Sequence, residues 1–423
     1  MTASTKPNPA EVSDRLLTAA QDLTPRIREV AGEIERAGRL PDELAEQFIK
    51  AGFFNMLVER ELGGLETDPV TATKVIETIS AADGSAGWVA MIGSVTAFWA
   101  TALLPNEGAR EIFAPGADVV PGTHVVPSTH VVPSTHVVNQ VVMVGTLVPH
   151  GRAVKTEGGY RISGSWPFGS GCKNANWMTS ACWLFDPSPD LGEDPIRRDD
   201  GGHAWAEFLT PIEDCKILDT WHVTGMQGTG SHDYTIDDAF VPERRMFYHP
   251  SQTAPVRPER RYSYLAASIA LMAVVPLGIA RAAVDEIRSL LPSKAGPPEN
   301  KPMSEDFEKQ VDVARVETLV GSASAYLYET LGQIWTLVEK GEPRSKELRG
   351  RFRAACTNAV LSSVEAVNIA YATAGTTAIY TKSNLERQFR DVHTAAAHAF
   401  VRSATRADAG RLLMDLEPLV KIF

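Results

Sequence analysis

"GGYRISGSWPFGSGC", residues 158–172, is the segment that decides the fold. Its first part, "YRISGSW", alternates apolar and polar residues, which is typical of a β-strand with one buried face. Its second part, "WPFGSGC", concentrates Pro, Gly and Ser, the residues that favour turns. The segment therefore predicts a strand that ends in a tight turn around Ser170.

Short runs of the same kind continue on both sides of this segment, from about residue 137 to residue 249. They are "VVMVGTLV", "WMTSACWLF", "AWAEFLT" and "DYTIDDAFV", and Gly, Pro and Asp separate them. Several short strands divided by turn residues are typical of an all-β unit. We therefore predict a compact, antiparallel β domain in the middle of the chain.

Helical patterns flank this β domain. Before it, "LPDELAEQFIKAGFFNML" has apolar residues at helical spacing, with Pro41 and Asp42 as a start signal. After it come three long apolar helices, interrupted by the Pro-rich stretch "KAGPPENKPMSEDFEK". The last of these helices, "ELRGRFRAACTNAVLSSVEAVNIAYATAG", is apolar on more than one face, which indicates burial in a bundle or at a subunit interface.

The predicted order is thus helices, strands and helices again. We place an N-terminal helical domain at residues 1–118, a repeat insertion or loop at 119–140, a middle β domain at 141–249 and a C-terminal helical bundle at 250–423. With 423 residues, 44% of them hydrophobic and 22% charged, the chain has the composition of a globular protein with a large core.

Charge and targeting signals restrict the class of protein. The net charge of −11, without any basic stripe, argues against nucleic acid or an anionic membrane as a partner. The first residues lack an apolar signal core, and no run of about 18 apolar residues predicts a membrane span. The four scattered cysteines fit no CxxC pattern and suggest reduced thiols. We therefore expect a cytoplasmic protein.

A repeat interrupts this ordinary pattern. In "VVPGTHVVPSTHVVPSTHVV", His124, His130 and His136 recur six residues apart. In an extended chain successive histidines would lie roughly 20 Å apart. Neither an acid nor a cysteine joins them, so we expect no metal site. The repeat favours an expanded surface connection, which is tolerated because loop-closure entropy grows slowly with length. A lid that lends His136 to a substrate remains open.

Four segments in the same order resemble the acyl-CoA dehydrogenase fold superfamily over nearly the whole chain. They are "LPDELAEQFIKAGFFNMLVERELGG", "GGYRISGSWPFGSG", "TGSHDYTIDDAFVP" and "AGTTAIYTKSNLERQFRD". The resemblance implies a mainly α fold with a central β domain. Its parts would be an N-terminal helical domain, an antiparallel β-barrel or sandwich and a C-terminal four-helix bundle, assembled as a homotetramer.

The sequence departs from the dehydrogenases at their catalytic base. They carry a glutamate nine positions after the Arg of an Arg-Asp pair, whereas here the pair is Arg390–Asp391 and the ninth position is Ala399, beside His398. The Arg-x-x-Phe-Gly motif that helps to hold the adenine half of FAD also has no counterpart. Instead "DGSAGW", "WPFGSGC", "GTGSHD" and "RDVHTAAAH" resemble the two-component flavin-dependent monooxygenases, or hydroxylases, of the same fold.

This second resemblance implies an oxygenase component. Such an enzyme takes reduced FMN or FADH2 from a separate NAD(P)H:flavin reductase. It then uses O2, through a C4a-(hydro)peroxyflavin, to oxygenate a small aromatic or heteroaromatic substrate. The missing adenine-side motif favours FMN. Two alternatives stay open: a dehydrogenase of acyl-CoA or acyl-carrier thioesters with bound FAD, and a flavin-free scaffold protein.

The resemblance also assigns residues. Ser170 would lie beside flavin N5, and His398 would act as peroxide donor or general base. The predicted cofactor contacts are Trp166, Phe168, Gly169, Ser170, Thr146, Thr229, Ser231 and Arg387, and the predicted substrate contacts are Trp88, His150 and His136. Each has a structural alternative as well: a turn serine, core aromatic rings, close helix packing at Trp88, a plain β-turn at "GTGSHD" and ion pairs for the arginines.

Overall fold

The computed structural model of the protein describes residues 8–114, 140–187, 194–249, 252, 266–296 and 300–419. The histidine repeat, with the predicted substrate residue His136, lies outside the described residues.

The described residues of the N-terminal region, 8–114, form five α-helices. They are α1 (Pro9–Ala37), α2 (Asp42–Ala51), α3 (Pro69–Ala82), α4 (Gly84–Leu103) and α5 (Asn106–Phe113). The predicted start of α2 at Asp42 is confirmed. Asp83 separates α3 from α4 and caps the latter, because its carboxylate accepts a hydrogen bond of 2.9 Å from the Ala86 N–H. This cap fixes the start of α4 and so places Trp88 in its second turn.

Among the described residues, seven strands follow and form one sheet. They are β1 (Met143–Thr156), β2 (Gly159–Gly169), β3 (Trp177–Phe185), β4 (Trp205–Pro211), β5 (Cys215–Ile217), β6 (His232–Pro242) and β7 (Met246–Phe247), in the spatial order β5-β6-β2-β1-β3-β4-β7. All five predicted strand segments are present among them.

The sheet differs from the predicted antiparallel barrel or sandwich in two respects. In the part of the chain that the structure describes, the edge strands β5 and β7 do not pair with each other, so the sheet is open. In addition, β1 and β3 run parallel, while the other neighbouring strands are antiparallel. They run parallel because β2 lies antiparallel on one side of β1, and the connection after β2 crosses to the other side of β1, where β3 begins.

The C-terminal region is again helical. It contains α6 (Ile269–Ser293), α7 (Phe307–Lys340), α8 (Lys346–Ala374), α9 (Asn384–Ala396) and α10 (Arg406–Leu413). A two-stranded hairpin of β8 (Ala295–Gly296) and β9 (Lys301–Pro302) lies between α6 and α7, where the Pro-rich break was expected. The helix α6 packs against α3, α7, α8 and α9, which explains its apolar residues on several faces.

Two helical segments, Gly84–Leu103 and Ala266–Ser293, are long and apolar enough to cross a membrane by composition. However, 94% and 89% of their most apolar windows are buried inside the protein. This burial is typical of core helices, and α4 and α6 together join the N-terminal and C-terminal helical regions into a shared apolar core.

Candidate active site

The end of β2 has an unusual backbone. The pairing of β2 with β6 shifts register between Trp166 and Gly169, and Phe168 adopts a left-handed conformation with φ of +64°. A residue with a Cβ atom in this region costs about 1–2 kcal/mol. The result is a Phe168 ring that is 63% exposed and lies edge-on to Trp221, with 6.2 Å between ring centroids. A strained backbone that exposes an aromatic ring suggests a ligand surface.

Trp166 lies two residues earlier but points the opposite way. It is fully buried, its ring stacks on Tyr234 at 5.4 Å, and its Nε1–H donates to the Ala181 carbonyl at 2.7 Å. Two residues apart on a regular strand, Trp166 and Phe168 are expected to share one face. That expectation is wrong here, because the register shift interrupts the alternation. Trp166 is therefore a core residue and is not part of the site that we propose below.

Ser170 is the centre of the site. It is only 7% exposed, and its Oγ lies 2.7 Å from Ser231 Oγ. Ser231 Oγ in turn lies 2.6 Å from Thr229 Oγ1, which donates to the Met226 carbonyl at 2.8 Å. The hydroxyls of Thr229 and Ser231 are thus engaged inside the protein. This internal bonding does not support the predicted contact of either hydroxyl with flavin phosphates.

Trp88 connects the helical region to this turn. Its Nε1–H donates to Ser170 Oγ at 3.2 Å. Its ring also lies edge-on to the imidazole of His398, with 5.4 Å between centroids. Trp88, Ser170 and His398 come from α4, from the turn after β2 and from the segment after α9, so the fold gathers three predicted residues that are far apart in sequence.

His398 is held in one orientation. Its ring lies between Trp88 and Phe400, and burial lowers its pKa to about 4. Its Nδ1 accepts the Phe400 backbone N–H at 3.3 Å. The neutral ring therefore carries its proton on Nε2, which makes Nε2 a hydrogen-bond donor near neutral pH. Between the two predicted roles, these contacts favour the donor over the general base.

On a continuous helix His393 and His398 would lie on different faces, so only one of them, His398, is expected to belong to the site. The helix is not continuous, because α9 ends at Ala396 and His398 lies in the following turn. The conclusion nevertheless agrees with the structure, since His393 is exposed and its Nε2 lies 2.9 Å from Asn368 Oδ1, away from Trp88.

Arg387 lies in a different place from Ser170. Its Nε is 3.7 Å from the buried carboxylate of Asp83, and it lines a cleft of about 210 Å³ together with Asp83 and Asp391. Asp391 accepts a hydrogen bond of 2.5 Å from the Met226 N–H. Its pKa is raised to about 7, mainly because the carboxyl is buried and to a smaller extent because the Asp83 carboxylate is nearby. These contacts favour a structural role for Arg387 over the predicted phosphate contact.

The remaining predicted residues are on β1. Thr146 is partly exposed and His150 is exposed. Within the described ranges, no hydrogen bond connects either of them to Ser170. Trp221, by contrast, was not predicted, although it faces Phe168. The only sequence signal for it was a lone aromatic residue in the polar loop "LDTWHVTG".

Comparison with known proteins agrees with this arrangement. Profiles described as the N-terminal and C-terminal domains of acyl-CoA dehydrogenase match residues 15–117 and 270–403. Indole-3-acetate monooxygenase of Pseudomonas putida is 30% identical over 394 residues, which cover 93% of this chain and 92% of the relative. The chain belongs to the flavin-dependent monooxygenases with the acyl-CoA dehydrogenase fold.

Two further known proteins resemble this chain. The flavin-dependent monooxygenase oxygenase subunit HsaA of Rhodococcus jostii (strain RHA1) is 27% identical, with 89% of this chain and 92% of HsaA covered. XiaF from Streptomyces sp., solved in complex with FADH2 and glycerol, superimposes with a TM-score of 0.81. At 23% identity over 97% of this chain and 98% of XiaF, that likeness supports the fold alone. As a flavin-dependent monooxygenase, the protein is an oxidoreductase.

Proposed function

We propose that the protein is the oxygenase component of a two-component system, which transfers an oxygen atom from O2 to a small aromatic or heteroaromatic substrate. The observation that carries this proposal is the exposed, backbone-strained Phe168 ring beside Ser170, with Trp88 and His398 next to it. The relatives support the reaction class, because they include an indole-3-acetate monooxygenase and an oxygenase subunit.

The residues fit reduced flavin, either FMN or FADH2. Phe168 offers an uncovered aromatic surface for a planar ring, and exposure of such a surface is unfavourable unless something covers it. Ser170 and the backbone at Gly169 lie at the edge of that surface. When bound there, reduced flavin supplies the electrons that activate O2. Phe168 would pack on the ring system, while Ser170 would hydrogen-bond its edge.

The chain's own contribution is to hold protons and limit the access of water. His398 presents an Nε2–H donor, and its low pKa keeps the ring uncharged at neutral pH. Preorganised donors of this kind stabilise charge that develops on a reacting oxygen. The same low pKa makes His398 a weak base, and Ala399 carries no carboxylate, which argues against proton abstraction from a thioester. The Trp88 ring contacts both Ser170 and His398 and would limit the access of water between them.

Several assignments complete the proposal. A separate NAD(P)H:flavin reductase supplies the reduced flavin, as the name of the oxygenase subunit HsaA suggests for that relative. The exposed side chains of Phe307 and Tyr380 are candidates for contacts in a homotetramer. The cytoplasmic location, the domain boundaries and the substrate contacts of Trp88 and His150 remain parts of the same proposal.

Rapid mixing tests this function. The anaerobic protein with reduced FMN is mixed with oxygenated buffer, and absorbance spectra are recorded. We expect a transient species whose spectrum differs from both reduced and oxidised flavin before oxidised FMN appears. Oxidation at the rate of free reduced FMN, with no binding of reduced FMN or FADH2, would contradict the proposal.

A further inference from the structure

An unbroken line of hydrogen bonds lies behind Ser170. It begins at the Trp88 indole N–H, passes through the hydroxyls of Ser170, Ser231 and Thr229, and ends at the Met226 carbonyl. The successive donor–acceptor distances are 3.2, 2.7, 2.6 and 2.8 Å. All three hydroxyl-bearing residues are buried. We call these three hydroxyls the hydroxyl relay.

The two ends of the hydroxyl relay fix the direction of every proton in it. The Trp88 indole N–H can only donate, so the Ser170 proton cannot point toward it. The Met226 carbonyl can only accept, so the Thr229 proton must lie on the 2.8 Å line between the two oxygens. In any other arrangement two oxygen lone pairs would face each other at that distance.

The directions of the Ser231 and Ser170 protons then follow from that of the Thr229 proton. Because the Thr229 proton is directed to Met226, Ser231 must donate to Thr229. Because the Ser231 proton is directed to Thr229, Ser170 must donate to Ser231. A hydroxyl has one proton and two acceptor lone pairs. Among the described residues, the proton and one lone pair of Ser170 are therefore engaged, and its second lone pair remains for a neighbour.

We propose that Thr229 and Ser231 are positioning residues that hold Ser170 as a hydrogen-bond acceptor, and that they thereby make the site prefer reduced over oxidised flavin. N5 of reduced flavin carries a hydrogen and can donate to Ser170. N5 of oxidised flavin has only a lone pair, which would face the lone pair of Ser170. This inference rests on the proposed function, since it takes Ser170 as the neighbour of N5.

The preference suits a flavin that diffuses in and out. Reduced flavin gains a hydrogen bond on binding, whereas oxidised flavin leaves two acceptors unpaired, which favours its release. An unpaired buried polar group weakens binding, so we expect reduced FMN to bind at least about tenfold more tightly than oxidised FMN.

Thr229→Val tests the relay, because valine has nearly the shape of threonine without the hydroxyl. The Met226 carbonyl keeps a partner in this variant, since the Trp221 indole N–H donates to it at 3.0 Å. Without an acceptor at position 229, the Ser231 proton turns to Ser170, and the Ser170 proton becomes free to donate to oxidised N5. We expect oxidised FMN to bind more tightly to Thr229→Val than to the wild type.

The measurement is anaerobic equilibrium binding of reduced FMN and of oxidised FMN, without turnover. In Thr229→Val we expect the two dissociation constants to approach within about threefold of each other. Thr229→Ser keeps the relay and should retain the wild-type ratio. Ser180→Ala removes a fully buried hydroxyl that bonds Tyr234 instead, and it should also retain the ratio.

A second probe locates the effect on the ring. In 5-deaza-FMN a carbon replaces N5, so neither redox form has an N–H or a lone pair at that position. The wild type should bind the reduced and oxidised forms of 5-deaza-FMN with similar affinity. A preference for reduced 5-deaza-FMN as large as that for reduced FMN would overturn the inference.

The outcomes separate the inference from the function on which it rests. If the wild type prefers reduced FMN and a folded Thr229→Val protein keeps the same ratio, the relay does not set the preference. If the wild type binds both redox forms equally, the relay is overturned although flavin binding stands. If neither FMN nor FAD binds in either redox state, the proposed function fails, and the role of the relay fails with it.

Discussion

The β domain contains two sets of buried polar groups that differ in how completely they are hydrogen-bonded. In the hydroxyl relay, every proton has an acceptor. Glu207 on β4 is fully buried, and only its Oε2 is bonded, to the Thr179 hydroxyl at 2.8 Å. Its Oε1 has no hydrogen-bond partner in the described part of the chain. Hydroxyls can share protons inside a protein at low cost, whereas a buried carboxyl is tolerated chiefly as a neutral acid.

The largest expected effect is on stability at Glu207. Burial raises its pKa to about 8 from an ordinary value near 4.5. At a pH between these two values, the Glu207 carboxyl is ionised in the unfolded state but protonated in the folded state. The free energy of unfolding therefore falls by up to about 1.4 kcal/mol for each unit that the pH rises. We expect the urea midpoint of the wild type to fall between pH 5 and pH 8. That of Glu207→Gln should fall less steeply, with the remaining fall due to groups such as Asp391, whose pKa is also raised.

The exposed Glu157 provides the control for this experiment, because Glu157→Gln should follow the wild-type pH dependence. Parallel curves for wild type and Glu207→Gln would mean that Glu207 is not a buried neutral acid. The contrast with the relay would then disappear.

The next effect concerns the chemistry of the site. Ser170→Ala removes the hydrogen-bond partner at the edge of the proposed flavin surface. By analogy with the loss of one preorganised site group, we expect product per reduced flavin to fall by about 100-fold, with hydrogen peroxide formed instead. Product and peroxide are measured together at pH 7. Glu207→Gln should leave the ratio of product to hydrogen peroxide unchanged. If Ser170→Ala forms as much product per reduced flavin as the wild type, then the hydrogen bonding at Ser170 has no part in the reaction.

The smallest expected effect is at Phe168. Phe168→Gly removes the left-handed strain and should stabilise the protein by up to about 1 kcal/mol, while it weakens the binding of reduced FMN. Phe168→Ala removes the ring but keeps the strain, so it should weaken binding without that gain in stability. Equal thermal midpoints for the two variants would show that the backbone strain at Phe168 is negligible.

The sequence predicted what depends on local pattern. The start of α2 at Asp42 and the strands β1, β2, β3, β4 and β6 follow from spacing and turn residues, and they are where we expected them. The order of the strands and the open edges of the sheet could not be predicted in the same way. Whether edge strands meet depends on long-range register, which local alternation does not encode.

The residues of the site were predicted from the family resemblance, but local backbone conformation makes the orientation of some of them differ from the prediction. A register shift reversed Phe168 relative to Trp166, and Phe168, rather than the neighbouring Gly169, takes the left-handed conformation. The stretch "HTAAAHAF" has good helix formers, yet α9 ends within it at Ala396. The partners of the hydroxyl relay are also distant in sequence, since Ser170 and Ser231 are 61 residues apart. No local signal connects them.

The open sheet has a consequence for the behaviour of the protein in concentrated solution. Unpaired strand edges are templates on which other chains can add strands and start to aggregate. Among the described strands the edges are β5, with three residues, and β7, with two, so β5 covers only part of β6. The uncovered part of β6 carries the exposed charges of Asp237 and Asp238, and Asp238 has a positive φ. Charge and an irregular backbone at a strand edge both oppose the addition of another strand, so the open sheet is protected there by its side chains.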